Sequence, residues 1–146
     1  MKNNFEITQM SIEDLISIKD SLENDFDDFW NFNILKQELE NENSNYIICK
    51  KNNELIGFAG IVLILDIAEL NNIVVKKSYR RQGISTLLLE NLIQIAKLNN
   101  CKQINLEVAS TNTVAINLYK KFNFKQVGLR PKYYKNADAL LFTLKL

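Results

Sequence analysis

Residues 67–98 read IAELNNIVVKKSYRRQGISTLLLENLIQIAKL, and this stretch decides the fold. Ile67 to Val75 is apolar enough to read as a strand. From position 83 to 98 the apolar residues fall at 84, 87, 88, 92 and 95, the spacing of an amphipathic helix. Between them runs a basic turn, Lys76-Lys77-Ser78-Tyr79-Arg80-Arg81-Gln82-Gly83, which leads into Ile84-Ser85. A strand, a glycine-containing basic turn and a helix start combine free backbone N–H groups with the positive end of the helix dipole. That is a site for phosphate oxygens. Gly83 lets a ligand approach the backbone, and Arg80 and Arg81 add fixed charge. One glycine makes no Walker motif, so an ordinary solvated turn remains the alternative on these residues alone.

Outward from this stretch the pattern alternates. Phe5, Ile7 and Gln9-Met10 suggest a first strand, and Ser11 with Asp14 resembles an N-cap pair opening a helix whose apolar residues are Ile12, Leu15, Ile16, Ile18 and Leu22. An acidic, aromatic stretch, Asp25-Phe26-Asp27-Asp28-Phe29-Trp30, precedes a weaker helix at about 34–40. Strands are expected at 46–49 and 55–65, joined by the Lys51-Asn52-Asn53 turn. Beyond the central helix, Ile104, Leu106 and Val108 alternate with polar residues as in a half-buried strand. Val114, Leu118 and Phe122 give a stripe on a helix that Thr111 or Asn112 would cap, and two last strands, near 124–129 and 139–146, flank the single proline, Pro131. The order β-α-α-β-β-β-α-β-α-β-β predicts one α/β domain over residues 1–146, with a mixed central sheet flanked by about four helices.

The chain of 146 residues has 47% hydrophobic and 24% charged residues, ordinary globular values. It contains no histidine, which removes His-dependent triads, Cys-His proteases and His-based metal sites. Eighteen basic and seventeen acidic residues leave a formal charge of +1, so no global field favours a polyanion or a membrane surface. Direct nucleic-acid binding is not expected. Cys49 and Cys101 are too far apart in sequence to suggest a metal pair or a disulfide framework, and they read as reduced thiols. The polar first residues do not resemble a secretory signal, and the longest apolar stretch is far short of the ~20 residues of a membrane span. The expectation is a soluble, cytoplasmic protein with no metal.

The strand after the central helix carries Leu106-Glu107-Val108, with Asn112 five residues past Glu107 and Tyr119 seven beyond that. Seven helical steps rotate about 700°, which would set Asn112 and Tyr119 on one helix face. In a β-α-β unit ligands gather at the carboxyl ends of the parallel strands, where Glu107 and the basic turn would sit. Each residue has a plainer reading: Glu107 as a solvated strand residue, Asn112 as an N-cap, Tyr119 as a core-edge aromatic. At this level the pattern indicates no more than an anionic ligand of nucleotide size.

Taken together, these residues resemble the GNAT N-acetyltransferase superfamily, whose turn signature Q/R-x-x-G-x-G/A stands here as Arg80-Arg81-Gln82-Gly83-Ile84-Ser85. Leu106-Glu107-Val108, Ser110, Asn112, Ala115-Ile116, Leu118-Tyr119, Phe122-Asn123-Phe124, Gly128, Arg130, Tyr133-Tyr134 and Asp138-Ala139 resemble its bacterial ribosomal-protein-alanine N-acetyltransferase branch, and Phe29-Trp30 falls where that branch has an aromatic element. The resemblance implies acetyl-CoA as cosubstrate. It places backbone groups of Ile73, Val74 and Val75 on the pantetheine arm, Arg81, Gln82, Gly83, Ile84, Ser85 and Thr86 around the pyrophosphate with Arg80 beside them, and Asn112 on the cofactor. It makes Glu107 the general base on the amine and Tyr119 the proton donor to the departing thiolate. The acceptor it implies is the N-terminal α-amine of an alanine on a small-subunit ribosomal protein. A small-molecule amine, or a CoA sensor without turnover, are the rival readings. This sequence departs from the branch at Ser85, Ala109 and Asn123 and in a short loop before Asp138.

The chemistry suits an α-amine. With a pKa of about 7.7–8.0 it is roughly a tenth to a sixth neutral at pH 7, whereas a lysine at about 10.4 is neutral about four times in ten thousand. A carboxylate such as Glu107 is a sufficient proton acceptor for the former. A tyrosine at about 10 gives its proton uphill to a thiolate at about 8.5, so Tyr119 needs either a depressed pKa or a role as a hydrogen-bond donor to the developing charge.

Overall fold

The structure, a computed structural model, describes residues 4–26 and 30–146. Phe29 of the aromatic element lies outside the described residues. In chain order the elements are β1 (Phe5–Gln9), α1 (Ile12–Ser17), α2 (Phe32–Glu40), β2 (Ser44–Lys51), β3 (Glu54–Ile64), β4 (Ile67–Val75), α3 (Ile84–Leu98), β5 (Gln103–Ala109), α4 (Thr113–Lys121), β6 (Lys125–Tyr134) and β7 (Ala137–Lys145). This is the predicted order, with a π turn at Leu22–Phe26 and a 3-10 turn at Lys77–Tyr79 added. Hydrogen bonding orders the strands β1-β2-β3-β4-β5-β7-β6. The β4–β5 pair is parallel, and the β1–β2, β2–β3, β5–β7 and β6–β7 pairs are antiparallel, so the sheet is mixed.

By internal contacts the chain divides into two compact units, residues 1–62 with 71–94, and residues 63–70 with 95–146. In the first, α1 opens on a capping box: Ser11 Oγ accepts from Asp14 N and Asp14 Oδ2 from Ser11 N. The helix is shorter than its apolar periodicity predicts. It stops at Ser17, where Ser17 Oγ donates back to the Asp14 carbonyl, and the chain continues through turns to the π segment. Leu15, Ile18, Leu22, Phe26, Leu35, Tyr46, Phe58 and Val74 still join one buried cluster, whereas Ile12 and Ile16 face solvent. The β2–β3 turn uses Asn52 and Asn53, both at left-handed φ (52° and 67°), as a two-residue type I′ hairpin requires.

In the second unit β5 buries Ile104, Leu106 and Val108 and turns the alternate residues the other way. On α4 the expected stripe is corrected: Val114 is 81% exposed, and the buried residues are Ile116 and Tyr119. At 100° per residue Val114 stands about 140° from Tyr119, so the core face is carried by an i, i+3 pair that the i, i+4 pattern missed. The strand expected at 124–129 instead runs to Tyr134. It passes Pro131 with a bulge and a left-handed Lys132, an arrangement tolerated at the open edge of a sheet.

Candidate active site

The basic turn is built on three anchors within the first unit. Lys76 N donates to the Ile56 carbonyl (2.7 Å), Lys76 Nζ pairs with Glu54 Oε2 (2.7 Å), and Tyr79 Oη donates to Glu54 Oε1 (3.0 Å). The Lys76 ammonium, and then the Tyr79 hydroxyl, hold the Glu54 carboxyl below the usual carboxylate range. Arg80 does not stand free: its Nε donates to the Val75 carbonyl (3.1 Å) and its Nη2 to the Phe26 carbonyl (3.0 Å). The charge read as a phosphate ligand therefore also fastens the turn to the end of β4 and to the π segment. Arg81 and Gln82 are exposed, Arg81 at φ 66°.

Gly83 sits at φ 80°, and no heavy atom lies within 4 Å of the place a Cβ would take. Ile84 is buried and seats the helix, while Ser85 and Thr86 are half-buried. The first α3 backbone bond runs from Leu87 N to Gly83 O (3.1 Å), which leaves the amides of residues 84–86 ahead of it at the positive end of a fifteen-residue helix. Open space over Gly83, leading amides and an exposed arginine together fit a pyrophosphate. On β4, Val74 and Val75 are buried and Ile73 half-buried. The β4–β5 ladder covers only Ile67–Glu69 against Gln103–Asn105, so it does not use the backbone groups of Ile73, Val74 and Val75.

In the second unit Glu107 stands on the solvent-facing side of β5, its Oε1 3.3 Å from Arg130 Nη2 on β6. Both side chains are partly exposed, and such a pair contributes only about 0–1 kcal/mol. The Arg130 guanidinium also lies 5.5 Å from the centre of the Tyr133 ring, and Tyr133 meets Tyr134 edge to face at 5.3 Å. Burial, then the Glu107 charge, raises the Tyr134 hydroxyl above its ordinary pKa. Tyr119 is buried against Phe124 (ring centres 5.6 Å apart), and desolvation pushes its pKa up to about 12. Of the two options open to Tyr119, a depressed pKa is thus not found.

Asn112 is the N-cap of α4, its Oδ1 accepting from Ala115 N at 3.2 Å. It is exposed and precedes the helical residues, so helical spacing does not set its direction relative to buried Tyr119. Nearby, Asp138 N donates to Ser110 Oγ (3.2 Å) and Asp138 Oδ1 accepts from Lys132 N (2.8 Å), which ties the β6–β7 turn to the end of β5. The sequence reading missed two features: the ion pair of Glu107 with Arg130, and Glu69 on β4, whose carboxyl feels the Glu107 charge. Their only linear signal is parity, since Glu69 and Glu107 each occupy the polar positions of an alternating strand.

The Acetyltransferase (GNAT) family model matches residues 11–124. The chain belongs to this family. Among its GNAT relatives is a Bacillus subtilis protein provisionally named a ribosomal protein bS18 alanine N-acetyltransferase, 31% identical over 97% of this chain and 95% of its own length. The crystal structure of the ribosomal-protein-S18-alanine N-acetyltransferase from Escherichia coli superposes with a TM-score of 0.88 at 28% identity, covering 97% of this chain and 93% of that one. A GNAT acetyltransferase from Elizabethkingia anophelis, solved with acetyl-CoA bound, shares the fold at a TM-score of 0.77 and 23% identity over 99% of this chain and the whole of that one. The chain is a GNAT acetyltransferase in fold and family. No helix among the described residues is long and apolar enough to cross a membrane.

Proposed function

We propose that residues 1–146 act as one acetyl-CoA-dependent N-acetyltransferase domain that modifies the N-terminal α-amine of an alanine on a small-subunit ribosomal protein, in the cytoplasm. The observation that carries the reading is the near full-length likeness to the S18-alanine enzyme of Escherichia coli. The leading amides of α3, Gly83 and Arg81 support binding of the pyrophosphate, and the backbone of Ile73 to Val75, which the β4–β5 ladder leaves out, supports binding of the pantetheine arm. The thioester supplies the acetyl group. Glu107 takes a proton from the acceptor amine, whose lone pair then forms the N–C bond as the C–S bond breaks. Tyr119 donates a hydrogen bond to the departing sulfur. At a pKa of about 12, full transfer of its proton to a thiolate near 8.5 would be uphill by ~5 kcal/mol, so a hydrogen bond is the better use of this hydroxyl. The sulfur's proton then comes from water. Tyr133 lies against Glu107's partner Arg130, Tyr134 packs edge to face on Tyr133, and the two rings suit the walls of a peptide groove.

The test is release of CoA thiol from acetyl-CoA with a panel of peptides and small amines. An Ala-starting ribosomal peptide is expected to be the best acceptor. Failure of every such peptide, with CoA still bound tightly, would refute the substrate and leave a small-amine enzyme or a sensor. Glu107→Gln and Tyr119→Phe should each lower turnover at least about tenfold with little change in CoA affinity, and normal turnover would remove their roles.

A further inference from the structure

The formal charge of +1 conceals a segregation. Residues 63–70 and 95–146, the second unit, carry nine of the eighteen basic residues but only four of the seventeen acidic ones. Most of the excess stands at one end of the unit. Ile67 of β4 lies beside Gln103 of β5, and Gln103 beside Lys145 of β7, so β4 and β5 begin where β7 finishes. Lys125 opens β6 opposite Thr143, two residues short of Lys145. The chain also leaves α3 for β5 and α4 for β6 here, and Lys97, Lys102, Lys120, Lys121, Lys125 and Lys145 gather with every one exposed. Asp66 is the one acid in residues 64–67, 97–103, 120–125 and 143–146, and it pairs with Lys102 at 3.1 Å. The carboxyl ends of α3 and α4 each add about half a negative charge, so with Asp66 roughly two of the six positive charges are offset. Lys97, Lys120, Lys121 and Lys125 have no ion pair among the described residues.

Among these lysines the chain exposes aliphatic side chains. Leu65 and Asp66 connect β3 to β4, and the Asp66 carbonyl accepts from Lys102 N (2.6 Å), which fixes this turn beside the start of β5. Leu65 is 94% exposed, Ile64 before it 53%, and Leu98 at the end of α3 79%. Leu65 also lies at φ 57°. Two-residue turns between strands give such a position to Gly, Asn or Asp, because left-handed backbone disfavours a bulky side chain. The turn thus accepts a backbone cost to present a leucine to water and gains almost no burial in return. An anionic bilayer takes this combination: aliphatic side chains enter the acyl boundary, and ammonium groups meet the lipid phosphates. RNA would use the charge but not the aliphatic tip, and Phe122 and Phe124, the aromatics of these segments, are half-buried and buried rather than free to stack on bases. A second copy seated on the same surface would set six lysines against six.

We propose that this end of the second unit docks the protein on an anionic lipid surface, with Ile64, Leu65 and Leu98 entering the interface and the six lysines seated on the phosphates. The inference goes beyond acetyl transfer and does not depend on it. Glu107 lies four residues along β5 from Gln103, about 13 Å, so docking leaves it clear of the lipid.

The experiment is co-sedimentation of the full chain with lipid vesicles. On phosphatidylcholine containing about a third phosphatidylglycerol, at about 0.1 M salt, partition should exceed that on pure phosphatidylcholine at least about tenfold. The difference should vanish at about 1 M salt, where the Debye length falls to about 3 Å. Leu65→Asn should lower partition on the anionic vesicles at least about fivefold. Its melting temperature should stay equal or rise, since asparagine tolerates left-handed backbone, whereas a leucine kept for packing would be missed. Changing Lys120, Lys121 and Lys125 together to Glu should lower partition at least about tenfold, with acetyl-CoA affinity unchanged in both variants. Equal partition on the two kinds of vesicle overturns the proposal, as does unchanged partition of Leu65→Asn or of the triple variant. Equal binding of a uridine homopolymer by the wild type and Leu65→Asn, with no retention on vesicles, would mark this end as an RNA surface instead.

Discussion

At the scale of residues, burial acts in one direction on two tyrosines. Tyr46 in the first unit and Tyr119 in the second are both pushed up to about 12 from the ordinary tyrosine value of 10.0. A raised pKa means that the folded state keeps the phenolic proton more tightly than the unfolded chain does. Its stabilisation is therefore full below pH 10 and is lost as pH rises from 10 towards 12, on the order of 2–3 kcal/mol for each residue. The melting temperature should fall between pH 10 and 12, and fall less in Tyr119→Phe. Equal pH slopes for the wild type and this variant would show that the hydroxyl is not desolvated. Single side chains were unevenly legible in the sequence. Asn112 read as a cap because the capping geometry is local, and it is one. The Glu107–Arg130 pair was not legible, because it depends on how β5, β7 and β6 are registered across more than twenty residues.

At the scale of elements, the close approach of β3 to the β2 side chains is set by Gly60. A Cβ there would overlap the Tyr46 ring, which lies over its register partner and receives hydrogen bonds from Asn71 and Asn72. Gly60→Ala should cost about 1–3 kcal/mol in denaturant unfolding, through overpacking. Combined with Tyr46→Ala it should cost less than the sum of the two single changes, and strict additivity would mean that ring and glycine do not meet. Element order was readable because each strand and helix declares its own period, as β5 does with its alternation. Element length was not. The end of α1 is decided by Ser17 turning back on its own helix, and the face of α4 by which residues the sheet covers. The passage of β6 through Pro131 required knowing that β6 is an edge.

At the scale of the whole molecule, the absence of histidine gives the pH dependence a simple form. No imidazole titrates between pH 5 and 8, so the rise of kcat/KM in that range should track the acceptor's own amine, about 7.7–8.0 for an N-terminus. Replacing the acceptor by one of different amine pKa should move the limb by the same amount; a limb that stays fixed would belong to the protein and contradict the assignment. The order of elements was legible because one strand, turn and helix carried a signature and the rest followed its alternation. The charge balance at Glu69, Glu107 and Arg130 needed three dimensions. The two thiols add a last consequence. Cys49 is fully buried and Cys101 nearly so, and desolvation raises both above the ordinary thiol range, which keeps them protonated and sheltered. The native protein is thus close to silent towards oxidants and disulfide reagents. A chromogenic disulfide can be left in the cuvette during turnover, and its colour will count product molecules rather than the catalyst that made them.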